Sequence, residues 1–326
     1  MSDPLTTSTT TTAAAEQEEE EDEKKKKKKK KTVVTYRGNC HCGAYVYEAD
    51  LPRVASRGDC RCSICAKSAA QWRLGAVPGW NLRFVAGSSA DPATLPEYAY
   101  GERKFRYKIC PRCGVPLLIS GRLGPSQPEL NGVNIRTFQH GQGVDVSTLD
   151  ITPGRDASSF PPAYEPVKYT GPEPAADVPG GKVYTGSCHC GAVRVALKSK
   201  PLDKTYEGLV SECNCSHCYR HGPVWVYPNK EQVVIEGEEN LVPYVFGTKA
   251  WGKCFCKHCG ILVCNAPQPL TEEMIADMSE ETKNFTLGAR HLLPINLRVL
   301  DDFTALDLNV KMADGYNTIK PMYVNP

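Results

Sequence analysis

Cys40 and Cys42 lie in a G-x-C-x-C-G run between Gly38 and Gly43, Cys60, Cys62 and Cys65 in a C-x-C-S-x-C run with Ser63, and Cys110 and Cys113 in C-x-x-C-G ending on Gly114. The same three motifs return in the same order at Cys188 and Cys190, at Cys213, Cys215 and Cys218 with Ser216, and at Cys256 and Cys259 with Gly260. The first motif recurs 148 residues later, Cys40 to Cys188. Fourteen of the chain's 16 cysteines belong to this pattern, which marks a tandem duplication. Paired thiols at C-x-C and C-x-x-C spacing are metal ligands, for zinc first and for iron as the competitor in an all-sulfur site.

Counting ligands divides each set. Structural zinc takes four protein ligands, whereas catalytic zinc takes three and keeps one position open. Seven thiols per copy are four plus three. The natural partition joins the C-x-C and C-x-x-C motifs, Cys40, Cys42, Cys110 and Cys113 in one copy and Cys188, Cys190, Cys256 and Cys259 in the other. The trios Cys60, Cys62, Cys65 and Cys213, Cys215, Cys218 remain for a second metal on a tight loop, with room for a substrate sulfur. Two zinc ions per domain, four per chain, are therefore expected. The basic residues Lys67 and Arg220, at matched positions beyond the trios, are candidates for steering the carboxylates of a thiol substrate or are ordinary surface charges.

The elements that must position these thiols read as short strands and turns. Alternating stretches follow each first motif, Ala44 to Glu48 and Ala192 to Leu197, as half-buried strands do. Leu95, Tyr98 and Gly101 return as Leu241, Tyr244 and Gly247, and Asn134-Ile135-Arg136 as Asn296-Leu297-Arg298. The domains are placed at 32–166 and 182–326, separated by a Pro/Gly-rich linker over 167–181. The second copy alone carries an insertion from Thr271 through Lys283. With Met274, Ile275 and Met278 on one face it reads as a short capped helix that covers a sheet edge or serves as a substrate lid.

Three departures from perfect repetition bear on the sites. Ala69 stands where the second copy has Gly222, and Ser68 where it has His221. An imidazole three residues after Cys218 either closes the second trio's site or packs nearby, and the turn at Gly222-Pro223 favours an open site. Cys254 and Cys264 are extra to the second copy, and Cys254 stands close enough to Cys256 to exchange with it as a ligand.

Residues 1–31 differ from all this. An acidic block, Glu16 to Glu23, precedes eight lysines, Lys24 to Lys31, with no apolar residues to bury among them, so the segment is expected to be a disordered charged tail. It contains no apolar signal-peptide core, and no run of about 18 apolar residues occurs anywhere. The chain is thus expected in a reducing compartment, cytoplasm or nucleus, where thiols serve as ligands rather than disulfides. A formal net charge of +2 makes no case for nucleic acid beyond the lysine block.

Across both copies the order C-x-C, C-x-C-S-x-C, C-x-x-C-G resembles the glutathione-dependent formaldehyde-activating enzyme family, whose domain is shared with centromere protein V. The resemblance implies a mainly β fold of two tandem zinc-stapled β-tent domains and the same four-plus-three division of thiols. It also implies a carbon–sulfur lyase-type reaction, the reversible condensation of formaldehyde with glutathione or a related thiol. The alternative is a non-catalytic tandem zinc scaffold, or a nuclear binding module that uses the lysine tail. Elemental analysis of chelator-free protein is expected to approach four metal ions per chain, and a stable value of two would mean that the trios are empty.

Overall fold

Alternating burial along Val33–Asn39 and Val46–Pro52 makes these segments an antiparallel pair, β1 and β2, in the computed structural model of the chain. The turn between them carries Cys40 and Cys42. The structure describes residues 33–75, 81–85, 92–102, 104–122, 126, 128–154 and 164–326, so the charged tail lies outside the described residues. β5 (Asn81–Phe84) adds to β2 as the third strand of a small sheet. A second sheet runs β6 (Glu97–Tyr100), β7 (Phe105–Ile109), β8 (Pro116–Gly121), β9 (Leu130–Asn134) and β4 (Trp72–Gly75), each pair antiparallel. Beside it β3 (Ser56–Asp59) pairs in parallel with β10 (Asp150–Pro153).

The second copy repeats the plan. β11 (Lys182–Ser187), β12 (Arg194–Ser199) and β15 (Val233–Glu236) form its small sheet. Its larger sheet is continuous over seven strands: β16 (Leu241–Val245), β17 (Trp251–Cys256), β18 (Leu262–Pro267), β19 (Ile295–Asn296), β14 (Val224–Val226), β13 (Val210–Cys213) and β20 (Lys311–Ala313). The mainly β expectation holds. The insertion is two helices rather than one: α3 (Glu272–Ala276) capped by Thr271, and α4 (Glu280–Gly288) capped by Ser279. Each cap's side-chain oxygen accepts a backbone N–H of the first turn, so the second cap, at Ser279, starts a new helix within the stretch.

Each cysteine trio sits where a strand enters a short helix. Cys60 follows β3, and Cys62 occupies the N-cap of α1 (Ser63–Ser68); Cys213 ends β13, and Cys215 caps α2 (Ser216–His221). Both helices end on a left-handed residue, Ala69 at φ 51° and Gly222 at φ 56°. Each copy's core takes in residues of the other. Ile64 and Cys65 of α1, with Tyr107 and Ile109 of β7, pack among Val193, Leu197, Ile261 and Val263 of the second copy. Tyr219 of α2 packs in turn among Tyr36, Leu117 and Ile135 of the first. Such reciprocity is what a twofold relation between two equal halves requires.

The helix ends meet where the copies face each other. A Cβ built on Gly222 would fall 2.6 Å from the Cβ of Ala69, so the junction has room for one methyl group and not two. This accounts for the Ala69 and Gly222 difference in the repeat. Gly222→Ala is expected to cost about 2–4 kcal/mol through the left-handed backbone and the clash together. Adding Ala69→Gly should recover at least half of that loss in denaturant unfolding. A neutral Gly222→Ala would show that the helix ends do not approach in this way.

Candidate functional site

The four-thiol clusters form where two turns of each copy meet. Cys40 and Cys42, after β1, meet Cys110 and Cys113, after β7; Cys188 and Cys190 meet Cys256 and Cys259 in the same manner. Each cluster therefore pins a small sheet to a large one. Within a cluster the sulfurs lie within 4.8 Å of one another, with 3.5 Å from Cys40 to Cys42 and 3.6 Å from Cys42 to Cys110. A tetrahedral ion at about 2.3 Å from each thiolate would set them about 3.8 Å apart, so these cages fit a metal. Crowding divides their acidities. Hydrogen bonds from Cys110 and Cys113 hold Cys42 far below an ordinary thiol, and burial followed by the thiol contacts pushes Cys113 far above one.

The C-x-x-C turns also touch across the copies. Gly114 and Gly260 both have φ +71°, and a Cβ on Gly114 would meet the Phe255 ring at 2.5 Å, while one on Gly260 would meet Ile109 at 2.8 Å. Phe255 and Ile109 stand at equivalent places, each just before its own copy's second thiol pair.

The trios are likewise gathered, Cys60, Cys62 and Cys65 in one copy and Cys213, Cys215 and Cys218 in the other, each within 4.8 Å. Turning into a helix directly after the second cysteine is what brings the third thiol back onto the first two. The hydrogen bond with Cys60 pushes Cys62 up to about 11, whereas hydrogen bonds from Cys213 and Cys218 hold Cys215 well down. His221, weighed as a fourth ligand of the second trio, does not join it. His221 is buried and its Nε2–H donates to the carbonyl of Cys113 at 3.1 Å, on the other copy's four-thiol turn. Cys254 lies directly across from Cys264 on the neighbouring strand and donates to Gly252 O, apart from the four-thiol cluster.

Lys67 and Arg220 stand elsewhere than a substrate-steering role needs. Both are buried: Lys67 Nζ donates to Ser187 O at 3.0 Å and Val299 O at 2.9 Å, and Arg220 donates to Asn39 O at 3.1 Å and Ser216 O at 2.8 Å. Ser187 and Asn39 occupy matched positions in opposite copies, so each cation ties its own helix to the other copy's first thiol turn. Their donors are committed to carbonyls away from any open space.

Sequence reasoning missed the histidines inside the C-H-C turns, although both copies carry one. His41 Nε2 lies 2.9 Å from Ser216 Oγ and its Nδ1 2.8 Å from Tyr244 Oη; His189 Nε2 lies 2.9 Å from Ser63 Oγ and its Nδ1 2.7 Å from Tyr98 Oη. Each four-thiol turn thereby reaches the serine of the other copy's trio. Burial pushes both imidazoles down to about 3, so they are neutral hydrogen-bonding groups at pH 7. Tyr323 stacks on His41 and Tyr164 on His189, and each tyrosine hydroxyl donates to its histidine's carbonyl at 2.9 Å.

Both trios open on one cavity of about 740 Å³ between the copies, lined by Cys60, Cys65, Cys213 and Cys218. Arg136 and Arg298 brace its wall reciprocally. Arg136 donates to Ala69 O at 2.8 Å and Tyr219 O at 3.0 Å, and Arg298 to Gly222 O at 2.6 Å and Ala66 O at 3.3 Å. Burial, and then the charge of Arg298, bring Arg136 down to about 10. None of the residues of α3 or α4 lines the cavity, so the insertion is no lid over it. Among the described residues no helix is long and apolar enough to cross a membrane.

Comparison with known proteins agrees with the repeat. The sequence model of a family described as "Glutathione-dependent formaldehyde-activating enzyme" matches residues 35–148 and again 183–284. A solved structure of a Rhodobacter sphaeroides protein is 22% identical and covers 39% of this chain and 99% of its own, with a TM-score of 0.28.

Metal held by a four-thiol cage contributes on the order of 10 kcal/mol to the folded state of small zinc domains. Cys113→Ser should therefore lose its copy's fold, seen as lost tertiary circular dichroism and a released metal ion. Cys62→Ser should keep the fold and lose one ion. Equal unfolding by both substitutions would show that the two kinds of cluster do not differ in role.

Proposed function

The chain belongs to the glutathione-dependent formaldehyde-activating enzyme family, and on that premise we propose that it is a zinc-dependent carbon–sulfur lyase-type enzyme that adds glutathione or a related thiol to formaldehyde. The observation that carries this reading is the opening of two incomplete thiol trios onto a single cavity. A purely structural metal site is closed by four protein ligands, and each copy already has one such set. A trio facing solvent space is the arrangement of a site that accepts a ligand.

The donor chemistry fits zinc: all-thiolate sets suit a soft or borderline ion, and the sulfur spacings suit a tetrahedral one. Cys40, Cys42, Cys110 and Cys113, with Cys188, Cys190, Cys256 and Cys259, would hold two structural ions, and Cys60, Cys62 and Cys65, with Cys213, Cys215 and Cys218, two more. When bound at a trio, zinc supplies a position at which a substrate thiol loses its proton near neutral pH.

In the reaction the substrate sulfur adds to the carbonyl carbon of formaldehyde, a carbon–sulfur bond forms, and the proton lost from the thiol ends on the former carbonyl oxygen. The reverse step breaks the same bond. No redox partner is needed. The protein's own residues provide the enclosure: α1 and α2 present the trios, and Arg136 and Arg298 hold the helix ends against each other so that the cavity keeps its shape. Ser63 and Ser216, each fixed by the opposite histidine, hold the first turn of each trio helix in place.

The test is turnover of formaldehyde and glutathione followed by NMR of the hydroxymethyl carbon. Wild-type protein is expected to accelerate exchange between free and adduct formaldehyde over the spontaneous background. The Cys62→Ser/Cys215→Ser double variant, folded and with its four-thiol metals retained, should fall to that background. A wild-type rate equal to background would overturn the enzymatic reading.

A further inference from the structure

The cavity between the copies is not symmetric in charge. Aligning Cys60 with Cys213 places Arg57 opposite Val210 and Arg61 opposite Asn214, so the first copy's trio is flanked by two guanidinium groups that the second lacks. All of these but Val210 line the cavity. Most of the cations there are already committed. Arg61 pairs with Asp59 at 2.8 Å, Arg298 approaches Glu212 at 3.6 Å, and Arg136 directs its donors at two carbonyls.

Arg57 is the exception. Among the described residues its buried Nε has no hydrogen-bond partner and its guanidinium makes no ion pair. The like charges of Arg136 and Arg298 are near enough that each has its own proton affinity reduced by Arg57. A half-buried guanidinium whose charge no described carboxylate pairs with calls for an anion, and a carboxylate entering the cavity can accept from its terminal nitrogens. The same cations would also offset the negative charge of a divalent ion held by Cys60, Cys62 and Cys65.

We infer that the cavity binds one acidic thiol per chain, its sulfur toward Cys60, Cys62 and Cys65 and a carboxylate on Arg57. The inference rests on the reading of the trios as thiol-accepting metal sites and goes further in two ways. It assigns the substrate anion to a residue supplied by the first copy alone, and it makes the second copy a wall of the site: Glu212, Tyr219 and Arg298 come from there. A volume of about 740 Å³ matches the clefts that enclose a ligand of small-peptide size.

The experiment is calorimetric titration of the metal-loaded full chain with glutathione and with glutathione diethyl ester, whose carboxylates are masked. Wild type is expected to bind one glutathione per chain, and to bind it at least tenfold more tightly than the diester. Arg57→Ala should weaken glutathione about ten- to a hundredfold while leaving the diester within about twofold, a loss in the range of a charge-assisted hydrogen bond. Arg57→Lys should recover part of the affinity, and unchanged metal content in both variants should show that the fold is kept. Two equal glutathione sites per chain, or equal binding of glutathione and diester by wild type, would overturn this inference and leave the enzymatic reading standing. An Arg57→Ala variant that weakens both ligands alike would do the same. If wild type binds neither ligand, the trios accept no thiol and both readings fall.

Discussion

The hydrogen bond between the histidine of each C-H-C turn and the serine of the other copy's trio is the contact on which the rest of the arrangement depends. A four-thiol cage is rigid once formed, so the residue between its first two cysteines has little freedom. Placing His41 there aims its ring at Ser216, and placing His189 there aims its ring at Ser63. Each four-thiol cluster thereby sets the first turn of the helix that carries the other copy's trio. Both rings are neutral at pH 7 because burial opposes their charging, which suits a group that must both donate and accept.

Around that contact the buried cations serve as ties. Arg220 is fully buried and Lys67 nearly so, yet each finds carbonyl oxygens on the opposite copy. A buried cation without such partners would be strongly destabilising, so these side chains hold the copies in one register as long as their acceptors stay in place. Arg136 and Arg298 repeat the device on the cavity wall. The exchange of core residues follows from the same geometry, since Tyr107 and Ile109 cross one way and Tyr219 the other. Neither copy buries its own trio helix alone.

Duplication within one chain also permits what an assembly of identical subunits cannot, namely different residues at equivalent places. Ala69 and Gly222 meet where only one methyl fits. Arg57 faces Val210 across the relation, and Cys254 with Cys264 replaces Lys108 with Leu118 on the corresponding strand pair. Among the described residues the cavity has therefore become polarised, with Arg57 on the first copy's side only. No structural account follows for the Cys254 and Cys264 pair beyond its burial in the sheet.

Much of the clustering was legible from spacing because the thiols of a trio lie within six residues, where one turn of helix decides their meeting, and because the glycines flanking the cysteine motifs signal the turns. The duplication itself exposed the matched strands. The two-helix insertion was harder to read, since Ser279 offers its cap in the middle of a stretch that looks continuous. The sequence by itself determined the thiol chemistry, the repeat and the mainly β fold. Only the tertiary structure decided which copy faces which. His41 meets Ser216 across 175 residues and His189 meets Ser63 across 126, while each histidine has an identical serine available in its own copy. Two equal halves carry equal motifs, so pairing within and between them is degenerate in sequence. Shape and burial of the whole chain break that degeneracy, and with it they turn Lys67 and Arg220 from candidate ligands of a substrate into ties between the copies, leaving Arg57 at the cavity.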